Sequence, residues 1–504
     1  MAAQMKTPGV YIVEQNAFPN SVVQVATAVP AFIGYTEMAA YEGKLFSNRA
    51  IQINSLADYE MMFGKGPGAG LQFSLDTVAG GMVASPLKPI VALEEKQIVP
   101  GLKSGVYRLY HSMRLFYLNG GASCYIISVG NYSNPHLLAA LSKGLTILQD
   151  EMEPTMIVIP DAVSLPAADH ASLVQLSLAH CEQMQNRVAI VDVYDGAVSD
   201  AAAVDTVINE FRNGTGNTGL SYGAAYFPWL VTGIVQRVEI NFMNLPADLG
   251  RYLENTDSVK QALEPVTVLR SAPDIPVTDA ASTVLINKAH TALLAASKYY
   301  HQIIDAVFAM ANILPPSAAM AGMYTLVDST QSISKAPANI ALAAVMAPTI
   351  NLTDTQQMGL NFDAVTGKSV NALRAFAMKG VLVWGARTLD GNSEDWRYIN
   401  VRRTLIMIEQ SVKTAVKAYV FEPNDANTWV TVKSMIENFL TRCRQQGILA
   451  GARPELAFSV DIGLGSTMTA QDIPDGYMRI TVKVAVSHPA EFIVISFEQE
   501  MQKA

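Results

Sequence analysis

Six apolar residues, Val401, Leu405, Ile408, Val412, Val416 and Tyr419, are spaced four, three, four, four and three apart. That rhythm draws one stripe along an α-helix, and an apolar stripe of this length has to be covered by a neighbouring element. Pro423 ends the helix after Phe421 and Glu422. A second helix is expected from about Asn427 to Gly447, whose glycine suits a C-terminal cap, so the region reads as two packed helices. At about 100° per residue, Arg402, Arg403, Lys413 and Lys417 gather on a second arc, with the apolar Ile406 among them. A freely solvated face rarely carries an isoleucine, which favours a contact surface. Because Glu409 pairs with Lys413 one turn on, a solvated, salt-bridged face is the other reading.

A chain of 504 residues, half of them hydrophobic, is too long for one simple core and has the apolar content for several domains. No run approaches the roughly 18 apolar residues of a membrane-crossing helix. The N-terminus, MAAQMKTPGVYIVEQ, lacks the charged and apolar blocks of a secretory signal, so synthesis in the cytoplasm is expected. Cys124, Cys181 and Cys443 are far apart and in no metal-ligand spacing, which reads as three reduced, packed thiols. The net charge of −9 is unevenly spread: residues 361–504 hold 16 Lys and Arg against 15 Asp and Glu, so the acid lies upstream. Such asymmetry suggests that one surface meets an acidic partner. Nucleic acid fits poorly, since the basic residues lack the interleaved aromatics of a nucleic-acid groove. A protein partner fits better.

The middle of the chain reads as α/β. Met156–Ile159 and Val188–Val191 are apolar strands flanking a helix over Ala168–Gln185, Ala224–Val231 is a further strand, and Ala280–Ala311 is a long helix stopped by Pro315 and Pro316. Arg212–Gly223 and the FGKGPGAG stretch at Phe63–Gly70 read as loops. Both chain ends carry apolar strands: Val10, Tyr11, Ile12 and Val13 follow Pro8-Gly9, and Phe492, Ile493, Val494, Ile495 and Phe497 form a run bounded by Glu491 and Glu498. Each end could pair inside its own subunit or add to the sheet of another.

Catalytic equipment is sparse. TGKS at Thr366–Ser369 lacks the glycine that a phosphate loop needs five residues before Gly367, where Phe362 stands, and reads as a turn into a helix. Asp192 and Asp195, at a strand end, could serve a soluble α/β enzyme as acid and base, but no His, Lys or third carboxylate nearby in sequence completes a constellation. Neither a cofactor nor a metal site is expected, and no catalytic residue is assigned.

A set of phrases runs along the chain in one order: TPGVYIVE (Thr7–Glu14), AFIGYTE (Ala31–Glu37), YFPWL (Tyr226–Leu230), PPSAAMAGMY (Pro315–Tyr324), KAPAN (Lys335–Asn339), VLVWGARTL (Val381–Leu389), WRYINVRR (Trp396–Arg403) and FEPND (Phe421–Asp425). In these the chain resembles contractile tail sheath proteins of bacteriophages and phage-tail-like injection systems, and Ser112–Gly130 is similar to the injection-system sheaths. The resemblance implies a mixed α/β, multidomain fold: a core domain from residues 26–45 and 346–490, inserted outer domains over 46–345, an N-terminal linker arm over 1–25 and a C-terminal arm strand over 491–504. It implies a structural subunit that polymerises helically around an inner tube and contracts to drive that tube through a target envelope. The implied partners are further copies of the chain, sheath paralogues, the inner tube protein, the baseplate and the tail-terminator or cap proteins, with no nucleic acid and no membrane insertion. Assembly would take place in the bacterial cytoplasm. On this reading Arg402, Arg403, Lys413 and Lys417 are tube-contact candidates, and the terminal strands knit neighbouring subunits by pairing with a sheet that contains Leu456–Ile462 and Tyr477–Ser487.

Overall fold

The computed structural model describes residues 21–68, 71–77, 89–93, 97–104, 106–271 and 280–492. Two compact units divide the chain. The smaller joins Met1–Val25 to Thr404–Ser487, and the larger joins Ala26–Arg403 to His488–Ala504.

In the larger unit, the short apolar runs become the centre of one eight-stranded sheet. Its strands are β1 (Pro30–Thr36), β2 (Ala50–Ile53), β3 (Cys124–Asn131), β4 (Met156–Val158), β5 (Val188–Asp192), β6 (Gly223–Phe227), β7 (Asn371–Phe376) and β8 (Gly380–Val383), in the spatial order β8-β7-β6-β5-β4-β1-β3-β2. Strands β3, β1, β4, β5, β6 and β7 are parallel, and β2 and β8 close the edges antiparallel. Every residue of β1, β5 and β6 is buried, as expected for parallel strands covered on both faces. Helices α1 (Leu109–Leu118), α2 (Ala167–Met184) and α3 (Ser317–Thr330) supply part of that cover.

Two buried carboxylates stitch loops to the carboxyl ends of the strands. Asp161 accepts the backbone N–H groups of Tyr35 (2.8 Å) and Arg108 (2.6 Å). A Cβ on Gly34 would lie 2.6 Å from the Asp161 carboxylate, so the close approach requires glycine there. Asp192 accepts both the N–H (2.8 Å) and the hydroxyl (2.5 Å) of Ser317, the first residue of α3. This caps the helix from a distant strand and places negative charge at its positive end. Burial raises the Asp192 carboxyl to about 7, against the lowering effect of the Ser317 hydrogen bonds and the Arg108 charge.

A second core lies inside the same unit. Phe73, Ile98, Phe242, Tyr300, Ile303 and Val307 cluster where the antiparallel strands Gln72–Thr77 and Gln97–Ser104 meet the helices Asp257–Ser271, Ala280–Ala296 and Lys298–Ala311. The expected single helix over Ala280–Ala311 is therefore two. Ser297 breaks it and caps the second helix through Tyr300 N–H. The expected strand Ala224–Val231 also divides, into β6 and Leu230–Thr232, which enters a separate antiparallel sheet.

The mixed α/β class is as expected; the domain boundaries are not. Residues 46–345 are no self-contained insertion, because β2 to β6 come from them while β1, β7 and β8 come from outside, and all eight strands share one sheet. Hydrogen-bonded ladders, rather than sequence position, set the boundary. Residues 346–403 belong to the larger unit, so the part built from both chain ends is 1–25 with 404–487.

In the smaller unit, α4 (Ile399–Val416), whose first five residues belong to the larger unit, leads to α5 (Ala426–Gln445). Asp425 caps α5 by accepting the N–H groups of Asn427 and Thr428, and Gly447 takes the left-handed φ of 75° expected of a C-terminal cap. Val432, Met435, Ile436, Phe439 and Leu440 form the buried stripe of α5. Strands β9 (Phe458–Asp461) and β10 (Thr481–Val484) pair antiparallel. The N-terminal segment is tied here: Val25 N–H donates to Ser411 Oγ at 3.1 Å, and Arg442 donates to the Val22 carbonyl at 2.7 Å.

Candidate assembly surface

Helix α4 and the 3-10 turn that follows it, Lys417–Tyr419, carry four basic residues, but the fold splits them into two pairs. The Arg402 guanidinium sits 3.6 Å from the Trp396 ring centroid and 4.2 Å from that of Tyr222, and donates to Ser221 Oγ at 2.7 Å. Arg403 forms a two-point ion pair with Asp328 (3.0 and 2.6 Å), donates to the Thr27 carbonyl at 2.9 Å and lies over the Tyr324 ring. With exposures of 5% and 3%, both arginines are interior. The expectation that Arg402 and Arg403 touch a tube is therefore corrected. A helical projection preserves angle and discards axial position, and ten residues separate Arg403 from Lys413, roughly 15 Å along the axis. Over that distance the helix passes from buried to exposed.

Lys413 and Lys417 are exposed. Beyond them the chain turns at Val420 and Phe421, also exposed, and Phe421 takes a left-handed φ of 72° with its ring wholly in solvent. A non-glycine residue in that conformation carries a cost of order 1 kcal/mol. The end of α4 and the turn after it thus expose two cations, an aliphatic and an aromatic side chain between Lys413 and Phe421.

The strands β9 and β10 form a two-stranded ladder, a unit that is marginal by itself. Thr481 and Lys483 of β10 are exposed. The terminal-strand candidates Val10, Tyr11, Ile12, Val13, Ile493, Val494, Ile495 and Phe497 lie outside the described residues; Phe492 is described and is 75% exposed.

Immediately before Phe492, the Glu491 carboxylate is held by three residues of the larger unit. Arg387 donates to it through Nε (3.1 Å) and Nη2 (2.7 Å), Tyr398 Oη at 3.0 Å and Asn361 Nδ2 at 3.2 Å. Two of the phrases quoted above build this seat. Thr388 N–H donates to the Arg397 carbonyl and Ile399 N–H to that of Ala386, so VLVWGARTL and WRYINVRR run side by side and bring Arg387 next to Tyr398. Arg387 is fixed from behind by its own Nη1, which donates to the carbonyls of Asn361 and Gly391. The sequence reading missed these residues. Its available signal was one arginine in an otherwise apolar phrase.

The remaining sequence candidates have structural duties. Lys368 of TGKS is buried, its Nζ donating to the Arg212 carbonyl at 2.6 Å, and the segment leads into strand β7 rather than a helix. Arg212 is correspondingly buried at the end of helix Val204–Gly214 rather than in a surface loop. Asp192 is engaged by Ser317, while Asp195 is exposed in a left-handed turn with φ 51°. The pairing of Asp192 with Asp195 as acid and base is not formed, because one is committed to a helix cap inside the fold. The three cysteines are buried free thiols; burial raises Cys124 and Cys181 to about 12 and Cys443 to about 11, so all are protonated. Among the described residues no helix is long and apolar enough to cross a membrane, and no cluster of His, Cys, Asp or Glu could hold a metal ion.

Comparison with known proteins gives a consistent result. Residues 392–500 match the phage tail sheath C-terminal domain. Over 134 residues the chain is 25% identical to the tail sheath protein of Vibrio phage KVP40, a match covering 27% of this chain and 20% of that one. Along nearly its whole length it is similar to the sheath of an extracellular contractile injection system, PVC, in the contracted state: 26% identity, a TM-score of 0.61, and 99% of each chain covered. The contracted helical sheath of the anti-feeding prophage gives 26% identity and a TM-score of 0.60 over 98% of this chain and 99% of that one.

Proposed function

We infer that this chain, a contractile tail sheath protein by sequence and fold, is the repeating subunit of a sheath that polymerises helically around an inner tube and contracts to drive the tube through a target envelope. The observation that carries the reading is the end-to-end match to an injection-system sheath at 26% identity. A similar match, at 25% identity, to a chain in the anti-feeding prophage baseplate supports association with a baseplate. Tail-terminator or cap proteins and sheath paralogues complete the proposed set of partners, and assembly in the bacterial cytoplasm completes the proposed setting.

The role is structural, not enzymatic. Contraction would proceed by largely rigid-body rearrangement of subunits, released from a kinetically trapped extended state formed at assembly. The tube contact is assigned to Lys413 and Lys417, supported by their exposure and by the adjoining Val420 and Phe421. The terminal strands are assigned to neighbouring subunits, and β9 and β10 provide a ladder with too few strands to be stable alone. Negative-stain microscopy of the purified chain, and of the chain co-expressed with its tube partner, tests the reading. Hollow helical tubes are expected; a chain that stays monomeric in both preparations refutes it.

A further inference from the structure

Glu491 occupies a seat whose residues are also held by contacts of their own. Arg387 is only 6% exposed, and its orientation is set by hydrogen bonds to the Asn361 and Gly391 carbonyls and by the hydrogen bond that its backbone N–H donates to the Asn371 side-chain Oδ1 at 2.7 Å. Ser369 Oγ also donates to the Asn361 carbonyl at 2.6 Å, which fixes the third wall. Arg387, Tyr398 and Asn361 thus present donors to both oxygens of one carboxylate, a geometry that specifies direction as well as strength. The residue that fills it belongs to a segment more than 90 positions downstream, and Phe492, next to it, stands in solvent.

We propose that Arg387, Tyr398 and Asn361 form a carboxylate socket for Glu491, and that this socket sets the place and direction in which the C-terminal segment leaves the subunit toward a neighbouring copy of the chain. The part that concerns the neighbour rests on the sheath reading above; the socket itself does not. An arm that reaches another subunit transmits position only if its root is fixed, because a free root would let its end sample many directions and lower the effective concentration at the receiving strand. Glu491 is thereby a positioning residue.

The test separates root from arm. Cleavage after Phe492 by chymotrypsin requires the residue before it to lie extended in the protease cleft, so Glu491 has to leave its seat first and the cleavage rate reads that release. Glu491→Gln keeps the shape and removes the charge; cleavage is expected to accelerate about tenfold, the equivalent of about 1.4 kcal/mol. A loss of that size lowers the melting temperature of this unit by about 2 °C at most, whereas a general packing defect would lower it further. Glu491→Asp, retaining the charge, should restore much of the protection. In assembly, Glu491→Gln should give fewer and shorter tubes, and a chain truncated after Glu491 should give none. Wild-type cleavage in Glu491→Gln overturns the socket whatever happens in assembly. Tubes formed normally by the truncated chain would overturn the arm reading while leaving the socket intact.

Discussion

Replacing Asp328 with alanine isolates the interior arginine that the sequence pattern had assigned to a surface. Asp328 and Arg403 are 5% and 3% exposed at their side chains and meet at 2.6 Å, so the alanine variant leaves a guanidinium in the interior whose partners among the described residues are the Thr27 carbonyl and the Tyr324 ring. Removing one partner of a buried pair costs about 3–5 kcal/mol, because the remaining charge loses its compensation without regaining water. The unit containing the pair runs from Ala26 to Arg403 with a short C-terminal addition, roughly 400 residues, for which the entropy of unfolding is about 0.8 kcal/mol/K. A loss of about 4 kcal/mol therefore lowers the melting temperature by roughly 5 °C. Scanning calorimetry of the isolated subunit measures it, since the loss must appear without any tube present. Asp328→Asn, which keeps the volume and one acceptor, should lose less. If Asp328→Ala melts within about 1 °C of wild type, Arg403 is not held as described, and its exclusion from the tube contact falls with it.

Three further outcomes follow from the same structure. Lys413→Glu with Lys417→Glu should leave stability within about 0.5 kcal/mol of wild type, as exposed sites do, yet weaken co-sedimentation with the tube; unchanged co-sedimentation would make the pair merely solvated. Gly34→Ala should cost about 1–3 kcal/mol by forcing a Cβ against Asp161 and Leu109, read in urea unfolding. Asp192 has a folded-state pKa raised to about 7 above an ordinary value near 3.8. The folded state therefore binds its proton more tightly, so this contribution is fully present below about pH 4 and is lost as pH rises toward 7. Relative to Asp192→Asn, the wild type should lose at most about 1.4 kcal/mol per pH unit across that window and change little above it. A difference that is flat from pH 4 to 7 would show that Asp192 is charged throughout.

The phrases that carried the family resemblance are also the ones that meet in the fold. AFIGYTE supplies most of the central strand β1; Tyr226 of YFPWL shares a 2.7 Å hydrogen bond with Tyr324 of PPSAAMAGMY, and Arg403 of WRYINVRR lies over that same Tyr324 ring. Local patterns were legible because strand and helix periods are properties of neighbouring residues: Met156–Val158, Ala167–Met184, Val188–Asp192 and the α5 cap at Asp425 all follow from short-range rules. The break at Ser297 was also a local signal, a hydroxyl that accepts Tyr300 N–H, but one that a continuous apolar pattern obscured.

By itself, then, the sequence determined the mixed α/β class, the helical pair after Trp396, the absence of any phosphate-loop spacing around TGKS and the sheath resemblance, since each depends on residue type and spacing. Tertiary structure alone decided which basic residues of α4 and the turn after it are exposed, where the units divide and what Glu491 touches. Those answers depend on residues separated by 75 positions for Arg403 and Asp328 and by 104 for Arg387 and Glu491. Periodicity gives the direction in which a side chain leaves its own helix; only the packing of distant chain determines whether it meets water there or a carboxylate.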